Sequence, residues 1–280
     1  METTGLAPTS EIVQLAARSA DNKVFNHFAM PEKGISAGAR RATGLSVDCI
    51  SGRSQLLHNG KPVDSISESA LLGEFAQWLQ ELGLCPGSVV LAAHNSLAFD
   101  SRVLVNALAR AKRDMSRHVA GFTDTLLAFR EQHPNLKGQH SLSSLAEHFE
   151  AGPFTAHDAN EDVKILKDLT AKHLKQSSVE TSSFSLASAL EHNSGLFKTA
   201  ELTKTLQPVV GAKKLSRSMA HKAAASGLAL CHVRLAFERN GRDGVSSLFR
   251  EKKDGCIRVT ASKKIVESVC SYFEEKSVSA

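Results

Sequence analysis

The run Ser88-Val89-Val90-Leu91-Ala92-Ala93 limits the architecture of this chain more than any other stretch. A near-continuous apolar segment of this kind is the signature of a strand buried on both faces, which needs covering elements above and below it. The flanks supply them. Leu71, Leu72, Phe75, Trp78, Leu79 and Leu82 recur at helical spacing from Ser69 to Leu82, and Gly83 with Pro86 ends that pattern. A second helix is predicted from about Asp100 to Arg113. Earlier in the chain, Glu11–Ala17 and Lys23–Met30 read as two strands of a hairpin joined through Ser19-Ala20-Asp21-Asn22. Gly121–Leu127 reads as a further strand, Leu142–Phe149 as a helix, and Asp158–His173 as a long helix with Val163, Leu166 and Leu169 inward.

A hairpin followed by strands alternating with helices predicts an α/β fold, a mixed sheet with helices on both faces. Residues 176–199, rich in Ser, Thr and Ala without a sustained period, read as a linker. Residues 200–280 read as a small basic helical module, with helices at 213–225, 228–239 and 262–273 separated by glycines that include Gly227, Gly241 and Gly244.

Charge follows the same division. Residues 176–280 hold 16 Lys and Arg against 10 Asp and Glu, a net of +6, so the remaining 175 residues hold 18 against 19 and are near neutral. An acidic partner such as nucleic acid fits that asymmetry, and so does a solvated lysine face. Cys49, Cys85, Cys231, Cys256 and Cys270 are odd in number and include no Cys-x-x-Cys pair, which argues against a disulfide framework and a zinc site. His133, His140 and His148 do not match a zinc spacing either. Neither a run of roughly 20 apolar residues nor a basic-then-apolar leader is seen. The expectation is a protein with no membrane partner in a reducing, intracellular compartment, nucleus ahead of cytoplasm.

Three clusters carry the chemistry: Met1-Glu2-Thr3-Thr4-Gly5-Leu6, His94-Asn95-Ser96-Leu97-Ala98-Phe99-Asp100 and His157-Asp158-Ala159-Asn160-Glu161-Asp162. Glu2, Asp100 and Asp162 lie on three separate elements, and converging carboxylates are what hard divalent cations require. Asp100 follows the buried strand and opens a helix, where the dipole favours its ionised form; an ordinary helix-start Asp would look the same. Asp158 and Glu161 fit a capping box that puts His157 beside Asp162, close enough for an imidazole to take a proton from an attacking water. Asp124 reads either as a strand-end residue or as a support for the site.

In order, these clusters resemble the DEDDh 3′→5′ exonucleases of the ribonuclease H-like superfamily: Glu-Thr-Thr-Gly-Leu, His-Asn-x-x-x-Phe-Asp and His-Asp-Ala-x-Glu-Asp. The six-residue step from His94 to Asp100 is similar to the three-prime repair exonucleases. Pro31–Gly44, Leu91–Leu104 and Phe122-Thr123-Asp124-Thr125 look closest to the exonuclease-like domain of promyelocytic leukaemia protein relatives. The resemblance spans residues 1–175, and the C-terminal module is similar to the helical extension of those relatives.

It implies Glu2, Asp100 and Asp162 as metal ligands and His157 as general base. It puts Thr3, Thr4, Gly5, Leu6, His94 and Asn95 at the terminal nucleotide. Two Mg²⁺ or Mn²⁺ ions are expected in an intact family member. The partner it implies is a nucleic-acid 3′ end, DNA ahead of RNA, with a protein partner open for the C-terminal module. The leading aspartate of the first motif has no counterpart, because Met1 stands at the intervening position. The expectation is therefore a truncated first strand, a fragment or mis-started reading of a longer exonuclease, and little or no turnover. The alternative is a catalytically dead nucleic-acid or protein interaction module of a nuclear scaffold protein.

Overall fold

Apolar alternation produces the expected hairpin. β2 (Ile12–Arg18) pairs antiparallel with β3 (Val24–Met30), Leu15 opposite His27, across a turn in which Asn22 takes φ 66°. β1 (Glu2–Thr3) adds to the other edge of β2, with Glu2 opposite Gln14 and Thr3 opposite Ile12. This computed structural model describes residues 1–278 apart from Pro8, Ser51, Pro153 and Asp254, and the chain divides into two units, Met1–Leu190 and Glu191–Ala280.

After the hairpin comes α1 (Ala37–Thr43), then β4 (Leu45–Ile50), β5 (Arg53–His58) and β6 (Lys61–Pro62), which form a separate antiparallel sheet. Leu45 and Leu56 of that sheet bury against Val13 and Ile35. β7 (Ser65–Ser67) then returns parallel to β3. The Ser67 hydroxyl accepts the Ala70 N–H and starts α2 (Glu68–Glu81).

β8 (Val89–Ala93), α3 (Asp100–Ala111) and β9 (Val119–Asp124) form a right-length parallel unit, with Leu91 opposite Phe122. Phe75, Leu71, Leu72 and Leu79 of α2 and Val103, Leu104 and Leu108 of α3 pack with Ile12, Leu15, Phe25 and Phe122 into one core. Each such side chain contributes about 1.5–3 kcal/mol of burial.

α4 (Thr125–Gln132), α5 (Leu142–His148) and α6 (Ala159–His173) build a second core from Phe129, Leu136, Leu145, Ile165 and Leu169. The fold is the mixed α/β arrangement predicted. The element at 121–127 is shorter than expected: the strand stops at Asp124, whose carboxylate accepts the Leu126 N–H and caps α4.

β8 also departs from expectation. It is not buried on both faces; its exposure alternates and Val90 is 49% exposed. Among the described residues β8 pairs with β9, and the β8–β9 sheet is separate from the one that contains β2. Val90 and Ala92, on one face of β8, are exposed, so an apolar run ends up partly in solvent.

Residues 176–199, expected as a linker, are structured. α7 (Gln176–Thr181) leads to β10 (Ser183–Ser185), which pairs antiparallel with β9, and α8 (Leu186–Thr205) follows. Phe184 stacks on Phe122 with ring centroids 5.7 Å apart, an anchor that the Ser-rich composition conceals. Gly121 permits the pairing, since a Cβ there would sit 2.2 Å from the Phe184 carbonyl oxygen.

In the second unit, α9 (Gln207–Gly211), α10 (Arg217–Ala225), α11 (Leu230–Arg250) and α12 (Lys263–Val278) enclose Leu206, Val209, Val233, Phe249, Val266 and Phe273, with β11 (Lys252–Lys253) and β12 (Cys256–Ile257) as a small hairpin. The glycines expected to end a helix near Arg239 bend it instead: Asn240 and Gly241 leave helical geometry and α11 resumes beyond them. Among the described residues no helix is long and apolar enough to cross a membrane.

Candidate active site

The three clusters meet in the first unit. β1 carries Glu2, the first turn of α3 carries Asp100, and the first turn of α6 carries Asp162. The Met1 ammonium lies 3.5 Å from Asp100 Oδ1. Burial opposes its charge, but Asp100, Glu2 and Asp162 outweigh burial and hold its pKa above the ordinary value. Glu2 is pushed up to about 7, first by burial and then by Asp162, Asp100 and Asp158, with the ammonium opposing. Asp100 and Asp162 are raised as well, both chiefly by burial. Asp162 and Asp100 thus disfavour the charge on Glu2, and the ammonium relieves it.

That donor chemistry, three oxygen-bearing acids short of positive charge, fits a hard divalent cation. As they stand, no three His, Cys, Asp or Glu among the described residues are in range to hold a metal ion together.

The third cluster is built differently from the expected capping box. Asp158 is the N-cap, but its carboxylate accepts the Asn160 N–H, and its own N–H goes to Thr155 O. The Ala159 N–H is taken by Gln14 Oε1 at 3.1 Å, and Gln14 Nε2 donates to Asp158 Oδ1 at 3.1 Å. His157 has φ 68°, and both its charge and a backbone N–H favour ionised Asp162, so these two residues are neighbours as predicted.

The other predicted positions divide. Leu6 projects, 89% exposed, while Thr3 and Thr4 are buried: Thr3 Oγ1 donates to Gly5 O at 2.7 Å, and Thr4 Oγ1 accepts the Glu11 N–H. Asn95 is exposed at φ 68°. His94 is turned inward. Its Nε2 donates to His140 O at 2.7 Å, since a carbonyl can only accept, and Nδ1 meets Thr125 Oγ1 at 3.1 Å. Burial lowers its pKa, so the neutral ring serves as a pin between loops.

The loop preceding Asp100 hangs on Asp124. This carboxylate, in a residue 2% exposed, accepts N–H bonds from Asn95, Leu97 and Leu126 at 3.0–3.1 Å. Ser101 Oγ donating to Ser96 O at 2.7 Å closes the loop onto α3. Gln14 did not stand out in the sequence, because its partners Asp158 and Ala159 lie 144 and 145 positions away. His133 and His140 bond backbone carbonyls of His173 and His133, so they act as connectors of the helices.

Residues 1–147, more than half of the chain, match the family model described as Exuperantia RNAse H-like domain. The chain belongs to the Exuperantia RNAse H-like domain family. Residues 202–276 of this family member match the model described as PML, C-terminal domain. The ribonuclease H-like reading of the N-terminal unit is thus shown, and the likeness to promyelocytic leukaemia protein relatives rests on the C-terminal unit. No curated protein matches the chain. Among solved structures, E. coli exonuclease I in complex with a dA16 oligonucleotide is similar at 22% identity and a TM-score of 0.43, over 64% of this chain and 41% of that one. The chain thus spans less than half the length of that nuclease.

Proposed function

We propose that the N-terminal unit is an exonuclease-type site that takes a nucleic-acid 3′ end, DNA ahead of RNA, and hydrolyses the terminal phosphodiester. The observation that carries this is the convergence of Glu2, Asp100 and Asp162 from three elements, close enough that Asp162 and Asp100 both raise the pKa of Glu2. These three would hold Mg²⁺ or Mn²⁺, which would supply Lewis-acid stabilisation of charge on the scissile phosphate. His157, next to Asp162, would accept the proton of the attacking water. Leu6 and Asn95, both exposed, would touch the terminal nucleotide, while Thr3 and Thr4 hold the backbone next to Leu6.

A catalytically silent interaction module is the second reading. It would use the same unit to bind nucleic acid or protein without turnover. One experiment separates them. With Mn²⁺ present, single-stranded DNA with a free 3′ hydroxyl should bind more tightly than the same strand with a 3′ phosphate and lose its 3′ label, and Asp162→Ala should abolish both effects. Binding that ignores the 3′ end and survives Asp162→Ala would favour the silent module.

A further inference from the structure

Gln14 lies mid-strand on β2, is 1% exposed, and has every polar atom engaged. Its Oε1 accepts the N–H of Ala159, one of the first-turn donors that a helix cannot satisfy internally. Its Nε2 donates to Asp158 Oδ1 and to Asn26 Oδ1, each at 3.1 Å. Only an amide can do this. A carboxylate could accept from Ala159 but not donate to Asp158, and an apolar side chain would leave the buried groups without partners.

The position of this amide matters as much as its chemistry. Gln14 is directly opposite Glu2 in the β1–β2 ladder, so the two side chains leave the sheet on the same face. From Asp158 the chain of bonds continues: the Asp162 N–H reaches Asp158 O at 2.9 Å, and His157 directly precedes Asp158 in the chain. Strand β2 therefore fixes the first turn of α6, and with it Asp162 and His157, relative to Glu2.

We propose that Gln14 is a positioning residue for the cation site, setting the place of Asp162 and His157 against Glu2 through the start of α6. This rests on reading Glu2 and Asp162 as cation ligands. Residues that orient ligands in this way typically govern 10–100-fold of metal affinity.

The test uses the full chain with Mn²⁺ alone as probe, and backbone amide exchange as a second readout independent of metal. Gln14→Leu should raise exchange at Ala159 and Asp162 by at least about tenfold and weaken Mn²⁺ binding by about tenfold. Leu145→Ala, which cuts the core between α5 and α6, should leave Mn²⁺ affinity within about twofold while destabilising the unit. Gln14→Glu keeps the shape and the acceptor and loses the donors, so it should shift both readouts in the same direction even where Gln14→Leu fails to fold. Unchanged exchange at the start of α6 overturns the clamp. Raised exchange with unchanged Mn²⁺ affinity overturns the positioning role. If the unaltered protein binds no Mn²⁺, the cation reading falls with its positioning role, and exchange alone decides the clamp.

Discussion

Glu2→Gln should make the metal-free protein more stable, and only at higher pH. The Glu2 carboxyl is shifted from 4.5 to about 7 in the folded chain, first by burial and then by Asp162, Asp100 and Asp158. Each unit corresponds to 1.36 kcal/mol, so keeping Glu2 ionised in the fold costs up to about 3 kcal/mol. Between pH 4.5 and 7 the folded state binds more protons than the unfolded one. The stability contributed by protonated Glu2 is therefore complete below pH 4.5 and lost as pH rises through 7.

Glutamine does not titrate. The variant's advantage should be near zero at pH 4.5 and grow to about 3 kcal/mol by pH 8, about 6–12 °C in melting temperature for a unit of this size. Urea unfolding in EDTA can follow Trp78, the single tryptophan, which packs against Phe75 and Phe25 in the first core. A variant less stable than its parent at pH 8, or a gain of equal size at pH 5, would refute the reasoning.

Asp124→Ala strands three N–H groups that now bond one buried carboxylate, and should cost at least about 3 kcal/mol in urea unfolding; a cost under 1 would show that the loop before Asp100 does not depend on it. Gly121→Ala puts a Cβ 2.2 Å from Phe184 O and should unpair β10 from β9, costing about 1–3 kcal/mol; an unchanged urea midpoint contradicts that packing. Oligonucleotide binding should weaken at least about tenfold between 50 and 200 mM salt, given the net +6 of residues 176–280; fluorescence anisotropy that does not change with salt would remove the basic C-terminal region from recognition.

Local periodicity was enough to read the β2–β3 hairpin and helices α2, α3 and α6, because each buries a regular stripe such as Leu71, Leu72, Phe75 and Leu79. α1 and β4–β6 were missed, since their few buried residues, Leu45 and Leu56 among them, find partners only in Val13 and Ile35 far earlier in the chain. The structure of residues 176–199 depends on Phe184 meeting Phe122 beside a glycine, a contact that composition cannot report. The carboxylates of the candidate site, Glu2, Asp100 and Asp162, were legible as motif residues. What holds them was not: Asp124 collects two amides of the loop before Asp100 and one from the start of α4, and Gln14 reaches across 144 positions to Asp158. His94 shows the converse, a motif residue whose ring faces inward to His140 and Thr125.

The central claim, that Glu2, Asp100 and Asp162 form one cation-binding group, is tested most directly by titrating the full chain with Mn²⁺ at pH 6 and pH 8. Binding should tighten about tenfold between them, as Glu2, with a pKa of about 7, gives up its proton, and should vanish in Asp162→Ala. Absence of binding at both pH values, or binding that persists without Asp162 and Asp100, would contradict it.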